Sequence, residues 1–136
     1  MQDEITLSTS KKQEFIDITS KLNSIIKKSK ISSGICNVFA THATAAIIIN
    51  ENYDPNICLD ILDALNKLVP NGIWLHDKID GNADAHIKSA MLGPSETIPI
   101  KNNALELGTW QSVAFCELDG PRSNRKIIVT IIGDKD

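Results

Sequence analysis

Several absences narrow the field before any motif is read. The longest apolar runs, such as Ala45-Ala46-Ile47-Ile48-Ile49, are five residues long, far short of the roughly twenty that a helical membrane span needs. The opening segment Met-Gln-Asp-Glu-Ile-Thr is acidic and then polar, unlike the charged-then-apolar plan of a secretory signal. Cys36, Cys58 and Cys116 are the only cysteines and lack a Cys-x-x-Cys spacing. An odd set of this kind argues against a disulfide scaffold or a zinc ribbon, and the expected setting is a reducing cytoplasm.

The glycines are scattered, so no glycine-rich phosphate loop is present, and no nucleophile-elbow motif anchors a Ser-His-Asp triad. Aromatic residues make up 4% of the chain, the net charge is −3 and the pI is near 5.6. Without a basic stripe or aromatics interleaved with it, the chain is not built for nucleic acid, and its charge offers no general attraction to anionic lipid. What is present is an ordinary globular composition, 42% hydrophobic and 23% charged over 136 residues. That length suits one domain, residues 1–136, able to bury about two-thirds of its extended surface.

Short strand-like segments alternate with helix-like ones, without an internal repeat. Strands are expected at 4–8 and 14–19, and a helix at about 20–30, opening on Thr19/Ser20 and ending in lysines that suit the negative end of the helix dipole. Residues 34–40 and 44–52 read as strands flanking Thr41-His42-Ala43-Thr44, a connection short enough for a hairpin. Asp54-Pro55 starts a second helix, with Cys58, Ile61, Leu62, Leu65, Leu68 and Val69 at helical spacing, stopped by Pro70-Asn71-Gly72. Asn82 is placed to cap a third, short helix that runs to about Met91 and is broken by Gly93-Pro94. Three strands follow, at 96–101, 109–118 and 125–133, the last apolar on both faces and therefore expected inside a covered sheet. The order implies a single α+β domain with largely antiparallel, sandwich-like sheets, two main helices and one short helix. Because the helices are few, either the sheets cover each other or neighbouring subunits do.

The chemistry-bearing residues concentrate in two clusters. His-Asp-Lys-Ile-Asp-Gly-Asn-Ala-Asp-Ala-His, 76–86, holds His76, which follows the apolar Ile73-Trp74-Leu75 at an expected strand end, and His86; His42, in the Thr-His-Ala-Thr connection, is the third and last histidine. Imidazole is a common zinc ligand, and three protein ligands with one open position make a catalytic zinc site. The spacing, thirty-three and then nine intervening residues, matches no short zinc fingerprint. A metal site therefore stands beside the plainer reading of a surface, a capping and a hydrogen-bonded loop histidine. Asp77 and Asp84 fit either acid–base chemistry or helix-end stabilisation, while Asp80-Gly81 reads as a turn. The second cluster, Glu117 to Arg125, contains both arginines of a chain that otherwise uses lysine. Arginine grips phosphate through a planar fork, so an anionic ligand competes here with a solvated hairpin turn. Cys116 reads as a packing residue. Asn50 and Glu51 follow an apolar strand where a helix must begin, and capping explains only part of that polarity.

Thr-His-Ala-Thr-Ala-Ala-Ile-Ile-Ile-Asn-Glu-Asn, then residues 76–95, then Leu-Gly-Thr-Trp-Gln-Ser-Val-Ala-Phe-Cys-Glu-Leu-Asp-Gly-Pro-Arg resemble, in that order, the YjbQ-type family, whose members have a secondary thiamine-phosphate synthase activity. The resemblance runs from about residue 4 to the final strand. It implies an antiparallel α+β fold, a homotrimer with sites between subunits, and a divalent metal, commonly zinc, gathered by His42, His76 and His86. It also implies substrate contacts by Asn50, Thr44, Asn82 and Arg122, with Asp84, Glu51 and Asp77 as candidate catalytic carboxylates. The family often carries a hydroxyl residue where this chain has Ala43. The expected function is a metal-dependent enzyme that joins an aminopyrimidine methyl diphosphate to a thiazole phosphate with release of pyrophosphate. A zinc-dependent hydrolase of a phosphorylated metabolite, or a non-catalytic trimeric module holding a metal and an anion, are the alternatives.

Overall fold

The computed structural model describes the whole chain, Met1 to Asp136. Its elements, in order, are β1 (Gln2–Leu7), β2 (Glu14–Asp17), α1 (Thr19–Ser29), β3 (Ile31–Ala40), β4 (Ala45–Asn50), α2 (Pro55–Leu68), a 3₁₀ turn (Leu75–Lys78), α3 (Ala83–Leu92), β5 (Ser95–Lys101), β6 (Ala104–Leu105), β7 (Ser112–Glu117) and β8 (Arg125–Lys135). They form a five-stranded sheet, β1-β8-β3-β5-β6, and a three-stranded sheet, β2-β7-β4, antiparallel throughout. The expected α+β sandwich is what the chain adopts.

Alternation along the strands builds the core. Ile127, Val129 and Ile131 of β8, Cys36 and Val38 of β3, and Ile98 and Ile100 of β5 face Ile47 of β4 and Val113 and Phe115 of β7. Helix α1 adds Leu22, Ile25 and Ile26 to the same core. β8 lies between β1 and β3, as its apolar character predicts. Only its inner face is closed within one chain: Ile132, with Ile35 and Phe39 of β3, is left exposed on the outer face. A second open apolar area surrounds Leu68, Ile73, Leu75 and Ile79. Open areas of this kind are where partners bind.

The expected hairpin at Thr41–Thr44 does not form. Both edges of β3 are already hydrogen-bonded, to β5 and to β8, so β4 has no edge left to pair with and joins β7 in the other sheet. The connection is thus a crossing between sheets, held by Ala40 N–H donating to Pro94 O at 2.8 Å and Thr41 N–H to Lys126 O at 3.2 Å. One helix start and one strand also differ from expectation. α1 is preceded by Ile18, and the oxygen that meets the Thr19 N–H is Asp17 Oδ1, at 2.8 Å. The extended run 112–117 is shorter than predicted and leaves Trp110 outside the strand and exposed. Asp54 caps α2 as predicted, accepting from Asn56 N–H at 2.9 Å, with Pro55 in the first turn.

At the end of the sandwich nearest the crossing, inward alternation brings Glu117 of β7 and Arg125 of β8 into the core, both almost fully buried. Arg125 Nε donates to Glu117 Oε1 at 3.0 Å and Nη2 to Oε2, while Thr9 Oγ1 donates to Oε1 at 2.6 Å. Nη2 also reaches Thr44 O at 3.3 Å and Thr44 Oγ1 at 3.0 Å. Removing one partner leaves an uncompensated buried charge. Arg125→Ala is therefore expected to destabilise the fold by about 3–5 kcal/mol in urea unfolding, whereas Lys67→Ala, which breaks the exposed pair with Asp63, is expected to leave the unfolding midpoint almost unchanged.

Candidate functional site

The segment from Pro70 to His86 is tied up by its own side chains. Trp74 Nε1 donates to Pro70 O at 2.7 Å, and Asn71 Nδ2 to Gly81 O at 3.0 Å. Gly81 takes the left-handed φ of 66° that this turn needs and that only glycine adopts freely. Asp77 spends both carboxylate oxygens on backbone: Oδ2 accepts from Trp74 N–H and Oδ1 from Ala83 N–H, each at 3.0 Å. It thereby caps the 3₁₀ turn and α3 together and sets the angle between them.

That angle brings two histidines into contact. His76, expected at a strand end, sits in the 3₁₀ turn, and His86 lies one turn into α3. Their rings pack edge to face with centroids 4.9 Å apart and planes at 81°. His76 Nε2 is buried and has no hydrogen-bond partner; Asp80 Oδ2, at 3.8 Å, is too far to supply one. Asp84, on the same helix, points elsewhere. Its Oδ2 accepts from Lys88 Nζ and its Oδ1 from Asn71 Nδ2, both at 2.9 Å. Lys88 is 0% exposed and also donates to Asn66 Oδ1 of α2 at 2.7 Å. Asp84 and Lys88 are thus a buried pair that locks α3 to α2.

Beside the start of α3 lies a second centre, Asp119. Its Oδ2 accepts from Asn82 Nδ2 and from Arg122 Nη2, both at 2.9 Å, its Oδ1 from Lys12 Nζ, and its backbone oxygen from Arg122 Nε at 3.0 Å. Asn82 occupies the cap position of α3 but makes no side-chain capping bond, because its amide nitrogen is turned to Asp119. His42 stands close to these cations. Its Nε2 accepts from Lys126 N–H at 2.8 Å, which in the neutral ring leaves the proton on Nδ1. Burial, then Arg125, then Arg122 and Lys126 hold its pKa below the ordinary histidine value, against an opposing pull from Glu117. Thr44, two residues on, is buried with its oxygens on Arg125.

Asn50 and Glu51 are at the other end of β4, ~20 Å away along a strand of this length. There they line an open groove of about 660 Å³ with Tyr53, Asp54, Trp110 and Gln111. Tyr53 and Trp110 meet edge to face at 5.7 Å. Within one chain, then, the structure joins His76 to His86, and Asn82 to Arg122 through Asp119, but it keeps Asn50 and Glu51 apart from them. No group of three or more His, Cys, Asp or Glu side chains converges on one point in the chain. Asp119 lies within the second sequence cluster but carries no role of its own there, and Lys12 and Lys88 each read in sequence as an ordinary surface charge. Cys116 is a packing residue as expected, against Ala46, Ala85 and Leu118, and burial pushes its thiol up to about 12.

The chain is thus a two-sheet α+β protein with a histidine pair at a helix start, next to an arginine-bearing turn. The chain belongs to the YjbQ family: the family model described as "UPF0047 protein YjbQ-like" matches residues 3–134. It is 47% identical to a UPF0047 protein of Methanothermobacter thermautotrophicus, covering 96% of this chain and 90% of that one. The fold superposes on a YbjQ-like protein from Sulfolobus solfataricus with a TM-score of 0.95 at 41% identity, over 98% and 97% of the two chains. A YjbQ/UPF0047 protein from Clostridium acetobutylicum gives 0.91 at 46% identity, over 96% and 99%.

Three carboxyls of this end titrate low. At Glu117, Asp84 and Asp119 burial works to raise the pKa, and it is outweighed by hydrogen bonds, from Arg125 and Thr9, from Lys88 and Asn71, and from Asn82, Lys12 and Arg122 respectively. A depressed folded pKa stabilises the fold above the unfolded value and is lost as pH falls through the folded one. Stability measured by urea unfolding is therefore expected to decline as pH drops below ~4, the ordinary carboxylate range. Arg125→Met, which removes the strongest support of Glu117, is expected to lose most stability at neutral pH and to show a shallower decline in acid, so that its deficit against wild type narrows as pH falls, because Glu117 no longer has a depressed pKa to lose.

Proposed function

We propose that the chain is a metal-assisted enzyme of a small phosphorylated substrate, with pyrimidine transfer, as in secondary thiamine-phosphate synthases, the reaction favoured by the family. The observation that carries this reading is the orphaned, buried Nε2 of His76 packed against His86. A nitrogen in that position has lost water and gained no partner, and two imidazoles form a donor set that suits a divalent ion such as zinc. His76 and His86 would hold the ion. His42 enters differently, because its Nε2 lone pair is occupied by the Lys126 amide and its Nδ1–H is left as a donor. The bound ion would supply Lewis-acid stabilisation of charge on a phosphate oxygen.

The chain's own residues do the rest. The free edge of the Arg122 guanidinium, the Lys12 ammonium and the His42 Nδ1–H present donors to a diphosphate. In the transfer, the thiazole nitrogen attacks the methylene carbon of the aminopyrimidine while the carbon–oxygen bond to diphosphate breaks, and pyrophosphate leaves with the electron pair. Asp77 and Asp84 act through structure, one setting the His76–His86 angle and the other anchoring α3. Glu51 and Asn50 would reach this site only from a neighbouring copy. A homotrimer with composite sites accommodates that separation and would cover the apolar areas around Ile132 and Leu75. Glu51 would then hold the amino group of the pyrimidine.

A hydrolase is the second reading, and the donor set favours it: neutral imidazoles suit zinc-activated water better than the magnesium-and-carboxylate arrangement usual for diphosphate departure. Elemental analysis of the purified protein is expected to find close to one zinc per chain, and a content under about a tenth of an equivalent would remove the metal from the proposal. With the two thiamine precursors as substrates, thiamine phosphate identifies the transferase, phosphate release without it the hydrolase, and saturable binding without turnover a binding module. His86→Ala, folded by circular dichroism, is expected to lose the metal and about 10²-fold or more of the activity; full activity in that variant would rule the site out.

A further inference from the structure

Asn82 is only 9% exposed, yet its Oδ1 has no hydrogen-bond partner. The orientation of the amide is not free. Asp119 offers only acceptors, so the amide must face it with Nδ2, and Oδ1 is turned the opposite way. The usual task of such an oxygen, accepting from an N–H in the first turn of its own helix, is not performed by Asn82, which makes no side-chain capping bond; the Ala83 N–H is held by Asp77 and the Ala85 N–H by the Asn82 backbone oxygen. A buried carbonyl without a donor, at a helix start that does not use it, is an acceptor still open to a donor from a ligand or a water.

The same carboxylate aims Arg122. Nε and Nη2 are both committed to Asp119, one to its backbone oxygen and one to Oδ2, which leaves Nη1 and the outer edge of the fork unused. The backbone beneath is pinned as well: Arg122 N–H donates to Thr9 Oγ1 at 2.8 Å, and Thr9 N–H to Arg122 O at 2.7 Å. Gly120 completes the arrangement. A Cβ there would lie 2.1 Å from Lys11 O, so only glycine lets the segment around Lys12 approach closely enough for its ammonium to reach Asp119.

We infer that Asp119 is a positioning residue that sets two recognition groups at once, the Asn82 oxygen as acceptor and the Arg122 fork as donor. The ligand class that answers to both carries an anionic group beside an N–H or O–H donor. This rests on the reading of Arg122 as the anion contact. Asp119 itself, covered by three donors, meets no ligand.

Pyrophosphate binding, measured by calorimetry, separates positioning from charge. A carboxylate near an anion site that acted only through its charge would weaken binding, and Asp119→Asn would then bind pyrophosphate more tightly. Positioning requires the opposite sign: Asp119→Asn is expected to bind about tenfold or more weakly, and Asp119→Glu, which keeps the charge and displaces the oxygens, is expected to weaken it too. In ¹H–¹⁵N spectra the Asn82 side-chain amide signals are expected to shift in both variants. Equal or tighter pyrophosphate binding by Asp119→Asn, or unchanged Asn82 signals, would overturn the inference. Arg122→Gln tests the underlying reading separately. If wild type and Arg122→Gln bind pyrophosphate alike, or neither binds, the anion site is refuted, while the Asn82 signals still decide whether Asp119 orients that amide.

Discussion

The buried Glu117–Arg125 pair is the constraint on which the rest of this molecule depends. Two charges taken out of water are tolerated only where nearly every lone pair and proton has a partner. Here Glu117 accepts from Arg125, from Thr9 and from the Asp119 amide, and Arg125 spends what is left on Thr44. Meeting those requirements fixes four separate stretches of chain against one another: the end of β1, the crossing between sheets, the end of β7 and the start of β8. An apolar plug could close the sandwich as well, but it would not dictate where those stretches sit.

From that anchor the candidate site follows by alternation. Arg125 points into the core, and the next residue presents its backbone N–H to His42, so one strand end settles both the core charge and the position of a proton on an imidazole. Glu117 points inward, and two residues later Asp119 gathers Lys12, Arg122 and Asn82. Asn82 begins α3, which carries His86 to His76. The chain of contacts from core to histidines is made of direct hydrogen bonds and one helix, with no long loop between them.

Much of this was legible from the residues, and what was not has identifiable causes. Two-residue and helical periodicity placed nearly every strand and helix, because burial on one face leaves that mark. The hairpin at Thr41–Thr44 was misread because a short connection is equally consistent with pairing and with crossing, and only the prior claim of β5 and β8 on both edges of β3 decides. His76 was placed on a strand end because Ile73-Trp74-Leu75 is apolar, although Ile73 and Leu75 are exposed. Asn82 was located correctly as the cap, but its side chain answers to Asp119, thirty-seven residues away, and sequence neighbours carry no trace of that. Lys88 reads as a solvated lysine on a helix and is fully buried; nothing short of tertiary packing reveals it. The family motifs grouped His42 with His76 and His86, whereas His42 is individually engaged by a backbone amide.

The stretch between Glu117 and Arg125 is mostly exposed, and loops of that kind ordinarily accept insertions and deletions. This one has little such freedom. Both of its ends must deliver a charged side chain to the same buried point, and a strand changes face with every residue. One residue more or fewer would turn Arg125 to solvent and put Asn124 or Lys126 in its place opposite the Glu117 carboxylate. The loop is therefore free in composition at its surface positions and restricted in count, a spacer whose length is set by electrostatics several ångströms beneath it.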